Sequence, residues 1–137
     1  MNKSRIKKLL RDIFANNEKK REASDILRNK DSAKEFVRKV SRKLETIPKV
    51  GKYLADIPIL CLLVKDYVQG AYTSVPFTTM VSIVVALAYF LLPNDFMIDA
   101  IPIWGLLDDA MVIKFAINAA HSDIMDYKNS KKIDELL

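Results

Sequence analysis

Four carboxylates, Asp95, Asp99, Asp108 and Asp109, stand in an apolar stretch with Phe96, Met97, Ile98, Ile101, Ile103, Trp104, Leu106 and Leu107. They are the one constellation in the chain whose residue types and spacing could do chemistry. A hard cation such as Mg²⁺ or Ca²⁺ takes several oxygen ligands converging at about 2.0–2.6 Å, and a turn between the two pairs could fold them together. On a helix Asp95 and Asp99 would share a face one turn apart, while Asp108 and Asp109 would point about 100° from each other. A second chemistry is an ion or proton path, because a carboxylate held in apolar surroundings is costly to maintain. The structural alternative assigns Asn94 or Asp95 to cap the segment after Pro93, and Asp108 or Asp109 to cap the last helix. Lys114 stands five residues after Asp109 and six after Asp108, so neither spacing forms an intrahelical ion pair.

Other reactive constellations are lacking, and no enzymatic activity is expected. His121 is the single histidine; its neighbours Ser122 and Asp123 are adjacent in sequence rather than arranged as a triad, which suggests a surface or capping role. One histidine and one cysteine exclude an ordinary intrachain zinc site built from those ligands. Gly51, Gly70 and Gly105 form no phosphate-cradling loop. Cys61, within Ile59-Leu60-Cys61-Leu62-Leu63, reads as a small core residue, and a lone cysteine makes no internal disulfide. No cofactor is expected beyond the divalent cation that Asp95, Asp99, Asp108 and Asp109 could take.

These residues must be positioned by helices. Val75 to Leu92 contains no charged side chain, and its eighteen residues at about 1.5 Å each would cover roughly 27 Å, just enough to cross a hydrocarbon core. Thr78, Thr79 and Ser82 soften this run without excluding insertion, since their hydroxyls can bond back to helix carbonyls. Tyr89, Phe90 and Trp104 suit either an interfacial aromatic belt or a core. After Pro93 and Pro102 the helical pattern resumes through Leu107, Ala110, Met111, Ile113, Ala116 and Ile117 toward Tyr127, with Lys128, Lys131 and Lys132 expected to face away as a basic tail.

Upstream, Ile6, Leu9, Leu10, Ile13 and Phe14 make one helical stripe surrounded by Lys3, Arg5, Lys7, Lys8 and Arg11. A basic amphipathic helix of this kind either docks on an anionic membrane or packs on the rest of the protein. Asn16 to Arg21 reads as a polar linker or a solvated helical turn, followed by a short helix through Ala23, Ile26 and Leu27. Ser32 and Glu35 have capping-box spacing ahead of the stripe Ala33, Phe36, Val37, Val40 and Leu44. Pro58 suits the first turn, and Gly70 the end, of a further helix over about 52–72, where Lys65-Asp66 arrive too soon for a membrane span.

Length and composition, 137 residues with 50% hydrophobic and 28% charged, allow one domain with a modest core or a membrane-embedded half. The charge is unevenly placed: residues 1–52 hold 17 Lys/Arg against 7 Asp/Glu, a net of +10, and residues 53–137 hold 5 against 10, a net of −5. An anionic neighbour is implied, and lipid headgroups are favoured over nucleic acid because no nucleic-acid-reading motif accompanies the basic run. The N-terminus lacks an apolar run of signal-peptide length.

The residues Tyr89, Pro93, Asp95, Asp99, Pro102, Gly105, Asp108 and Asp109 fall without a gap on the motif Tyr-x-x-x-Pro-x-Asp-x-x-Pro-Asp-x-x-Pro-x-x-Gly-x-x-Asp-Asp, and in this the chain resembles the YkvA-like family of bacterial proteins, whose function is unknown. Ile98 departs from the pattern, standing where the family usually has proline. The resemblance covers roughly residues 30–128 and implies a small, helical, membrane-associated protein, with no reaction or catalytic residue attached.

The expected architecture is therefore all-α: a basic amphipathic segment over 1–30, a helical domain over 31–128 and a polar tail over 129–137. An apolar hairpin is expected from residues 75–92 and about 103–125. The leading expectation is an inner-membrane protein with both termini cytoplasmic, in contact with anionic lipid and with a homo-oligomer or other protein as partner. Its alternatives are a cytoplasmic helical interaction module, with the apolar run as its central core helix, and an ion-handling membrane assembly.

Overall fold

The computed structural model describes residues 3–46, 54–91 and 109–136. Among them are seven α-helices, one 3-10 turn (Leu54–Asp56) and no strand. The helices are α1 (Lys3–Ala15), α2 (Asn17–Leu27), α3 (Lys30–Glu45), α4 (Ile57–Gln69), α5 (Phe77–Leu91), α6 (Asp109–Ala119) and α7 (His121–Leu136). The all-α expectation holds.

The starts and stops have local causes. Asn16 opens α2 by accepting the Lys19 N–H at 2.9 Å, and Asn29 opens α3 by accepting the Ser32 N–H at 3.0 Å. The cap of α3 thus stands three residues upstream of the Ser32–Glu35 box expected from sequence, and Glu35 pairs with Arg38 on the outer face. Replacing Asn29 by alanine is expected to cost about 1 kcal/mol, the usual worth of an N-cap, while Ser32→Ala costs little; urea unfolding of both variants separates the two assignments. Pro58 lies in the first turn of α4, where a missing N–H is harmless. Gly70 ends that helix with φ 81°, the left-handed conformation that glycine adopts without strain.

The helix at the centre is α5. It touches α1, α2, α3, α4 and α6. Met80, Val81, Ile83, Val84, Val85, Ala86, Leu87 and Phe90 are all buried, and at about 100° per residue these positions cover most of the helix circumference. Between its ends, where Phe77, Thr79, Ala88 and Leu91 are also half-buried, the open strip runs through Thr78, Ser82 and Tyr89, and there Ser82 Oγ donates back to the Thr78 carbonyl at 3.3 Å. A helix that is apolar all round is one that other elements enclose, and here the enclosing elements are protein.

The expected membrane span over 75–92 has no counterpart among the described residues. No helix of these residues is long and apolar enough to cross a membrane. In its place the described part of the run forms α5, whose 15 residues are enclosed by other helices of the chain. The hairpin itself is present, since α5 makes its most extensive packing with α6, but the second limb breaks after Ala119 and turns into α7. Phe90 is fully buried, as a core aromatic.

The N-terminal helices belong to the same core. Leu10, Ala23 and Leu27 are buried with Phe36, Val40 and the α5 residues, and Ile13 and Phe14 pack against them. Phe14 stacks on Phe115 of α6 with ring centroids 5.1 Å apart and planes at 24°. The described part of the first amphipathic stripe, Leu10, Ile13 and Phe14, packs on the rest of the protein.

Candidate functional site

Of the carboxylates singled out by the sequence, Asp95, Asp99 and Asp108 lie outside the described residues, as do Pro93, Pro102 and Gly105 of the motif. Asp109 is the first residue of α6, and Tyr89 is half-buried near the end of α5. Among the described residues no group of three His, Cys, Asp or Glu side chains could hold a metal ion.

The charged cluster that the structure does assemble was not expected. Asp66, on α4, is buried at 8% exposure. Its Oδ2 accepts the Tyr127 hydroxyl at 2.6 Å and faces Lys131 Nζ at 2.8 Å, both from α7. Tyr127 is itself fully buried, and Tyr72 meets its ring edge-on at a centroid distance of 5.0 Å. The Asp66 carbonyl accepts the Ala71 and Tyr72 N–H groups at 2.8 and 3.2 Å, so one residue ties together the end of α4, the following turn and α7.

The electrostatics follow from that geometry. Burial works against the charge on Asp66, but the hydrogen bonds from Lys131 and Tyr127 and the positive charges of Lys131 and Lys65 outweigh it, holding the carboxyl below its ordinary range. Burial, then the bond to Asp66 and the charge on it, push the Tyr127 hydroxyl above its ordinary value. A tyrosine held protonated with its proton committed to a carboxylate is neither base nor nucleophile. The cluster works as a clasp between α4 and α7.

Two outcomes are expected from the clasp. Tyr127→Phe removes a hydrogen bond to a charged acceptor, worth about 1.5–3 kcal/mol when nothing replaces it; because Lys131 still holds Asp66, chemical denaturation should report the lower end. The pH dependence has a definite sign. A carboxyl whose folded pKa is depressed adds stability that is present above its unfolded value of about 3.9 and is lost as pH falls through the folded one. Acid titration of unfolding should therefore show a loss below about pH 4 that Asp66→Asn reduces.

The clasp also corrects the reading of the C-terminal lysines as an outward basic tail. Lys131 binds Asp66, and Lys128 lies 3.7 Å from Asp56 in the 3-10 turn. Lys132 is exposed. The sequence carried a partial signal, since Asp66 interrupts an apolar run and Tyr127 and Lys131 share a face at i, i+4; the pairing between them, 61 residues apart in chain, did not show. Two other predicted sites behave as read: His121 is exposed at the start of α7, and Cys61 is buried, where burial outweighs a hydrogen bond to Ser41 and pushes the thiol up to about 11.

The N-terminal helices are basic. Residues 3–46 hold 15 Lys/Arg against 7 Asp/Glu, a net of +8, while residues 54–91 and 109–136 together hold 5 against 7. Lys34, Lys39 and Arg42 are exposed on α3 and make no ion pair among the described residues. Others are engaged: Arg28 lies over the Phe77 ring at 5.3 Å, and Lys43 donates to the Phe90 carbonyl and lies 4.9 Å from the centroid of its ring. Beside them Ile26, Phe36 and Leu91 floor an open groove of about 470 Å³ rimmed by Asp31, Glu35 and Lys39. With its rim of mixed sign, the groove selects no one charge.

Residues 79–115 match the model of a family described as Protein of unknown function (DUF1232), a stretch that begins in α5 and ends in α6. The match therefore falls on the pair of helices with the most extensive packing among the described residues and takes in every position of the sequence motif. No curated protein and no solved structure matches the chain.

Proposed function

We propose that this chain is a YkvA-like helical domain without catalytic activity that works at the cytoplasmic face of a bacterial inner membrane, attached peripherally through the basic layer of α1, α2 and α3 and serving there as a structural or interaction element. The observation that carries the reading is a pair of facts. The apolar run long enough on paper to span is used up as the enclosed core helix α5, whereas the surplus of positive charge sits on the outer helices. Each Lys or Arg near an anionic headgroup surface contributes about 1 kcal/mol, so a handful of exposed cations suffices for reversible attachment.

Vesicle co-sedimentation tests this. The full chain should pellet with phosphatidylglycerol-containing vesicles at low salt, stay in the supernatant with pure phosphatidylcholine, and be released near 1 M salt, where the screening length is about 3 Å. Equal behaviour on both lipids would sink the attachment by charge, and failure to bind either would favour a helical module whose partner is another protein or a second copy.

A further inference from the structure

The junction between α1 and α2 is a single residue. Asn16 has an extended backbone (φ −67°, ψ 116°) and caps α2 with its own side chain, so the first turn of α2 is complete without α1. Its backbone link back to α1, from Asn16 N–H to the Ile13 carbonyl, is long at 3.4 Å. Among the described side chains of α1, Leu10 is buried, Ile13 and Phe14 are half-buried, and Phe14 lies on Phe115. Along the same sequence stripe stand Ile6 and Leu9, and the 13 residues of α1 carry five Lys/Arg against one Asp. An apolar stripe flanked by cations is what an interfacial helix requires, and the same stripe cannot face the core and the lipid at once.

From this juxtaposition of a one-residue hinge and a basic amphipathic helix we infer that α1 is a strap: on an anionic bilayer it swings about Asn16, leaves Phe115, and lays its Leu10–Phe14 stripe into the headgroup boundary. This deepens the peripheral reading and rests on it. Charge brings the body to the surface, and transfer of the stripe from Phe115 to lipid then converts a purely ionic contact into one with an apolar part. The face of α6 around Phe115 becomes exposed only at the membrane.

The test places an indole on the stripe. The chain has one tryptophan, so Phe14→Trp in a Trp104→Phe background reports on α1 alone. With phosphatidylglycerol vesicles carrying brominated acyl chains, the emission should be quenched, and more strongly by shallow than by deep bromines, as suits a stripe roughly 5–10 Å into the boundary. Co-sedimentation without quenching would overturn the strap and leave peripheral attachment standing. Absence of co-sedimentation would overturn both. If either substitution abolishes the helical circular dichroism, photolabelling of the unaltered chain from an acyl-chain probe replaces it: label on residues 3–15 supports the strap, and bound protein without label there refutes it.

Discussion

Phe90→Ala is expected to lower the unfolding free energy by about 3–5 kcal/mol, the usual cost of truncating a buried phenylalanine. The residue is fully buried in the helix that touches five others, so the cavity it leaves cannot be filled without moving the bundle. It also removes the ring beneath Lys43, whose ammonium is anchored to the Phe90 carbonyl. Against a total stability of about 5–15 kcal/mol the loss is severe, and thermal unfolding followed by circular dichroism should show the midpoint fall by roughly 10–20 °C. A change of only a degree or two would mean that α5 is not enclosed as described.

The second large effect concerns binding. Neutralising Lys34, Lys39 and Arg42 together to glutamine should weaken binding to phosphatidylglycerol vesicles at low salt by about two orders of magnitude, since three cations at about 1 kcal/mol each give about 3 kcal/mol. All three are exposed on α3, away from the Ala33, Phe36 and Val40 face that packs in the core, so the fold should be retained. Vesicle titration at several salt concentrations reads the result, which should include a shallower salt dependence. Unchanged affinity would remove the outer face of α3 from the contact and leave α1 as its carrier.

Much of this architecture was legible in the chain because it depends on neighbours within a few residues. The stripe Ala33, Phe36 and Val40, the proline in the first turn of α4 and the glycine at its end are local signals, and each element forms where they stand. The cap of α3 was misplaced by one turn because Ser32 and Asn29 are both good caps, and the choice between them depends on backbone geometry.

What surrounds a helix is harder to read. An apolar run flanked by prolines looks the same whether lipid or other helices enclose it; the difference lies in the tertiary packing, and α5 is enclosed by five other helices of the chain. Long-range pairing was invisible for a related reason. Nothing near Asp66 in sequence announces that Tyr127 and Lys131 will reach it, and Lys131 taken alone looks like any solvated lysine. Of the candidate cation site, Asp109 is seen as the opening residue of α6, while Asp95, Asp99 and Asp108 lie outside the described residues.

The central claim is that the apolar run serves as the core of the bundle and that attachment is peripheral. Membrane fractionation of the full-length chain, expressed without detergent and washed first with high salt and then with alkaline carbonate, tests it most directly. The chain should pellet with membranes at low salt and move to the supernatant in the washes. Retention in the pellet through the carbonate wash would contradict the account, because a helix enclosed by its own protein has no apolar surface to hold it in a bilayer.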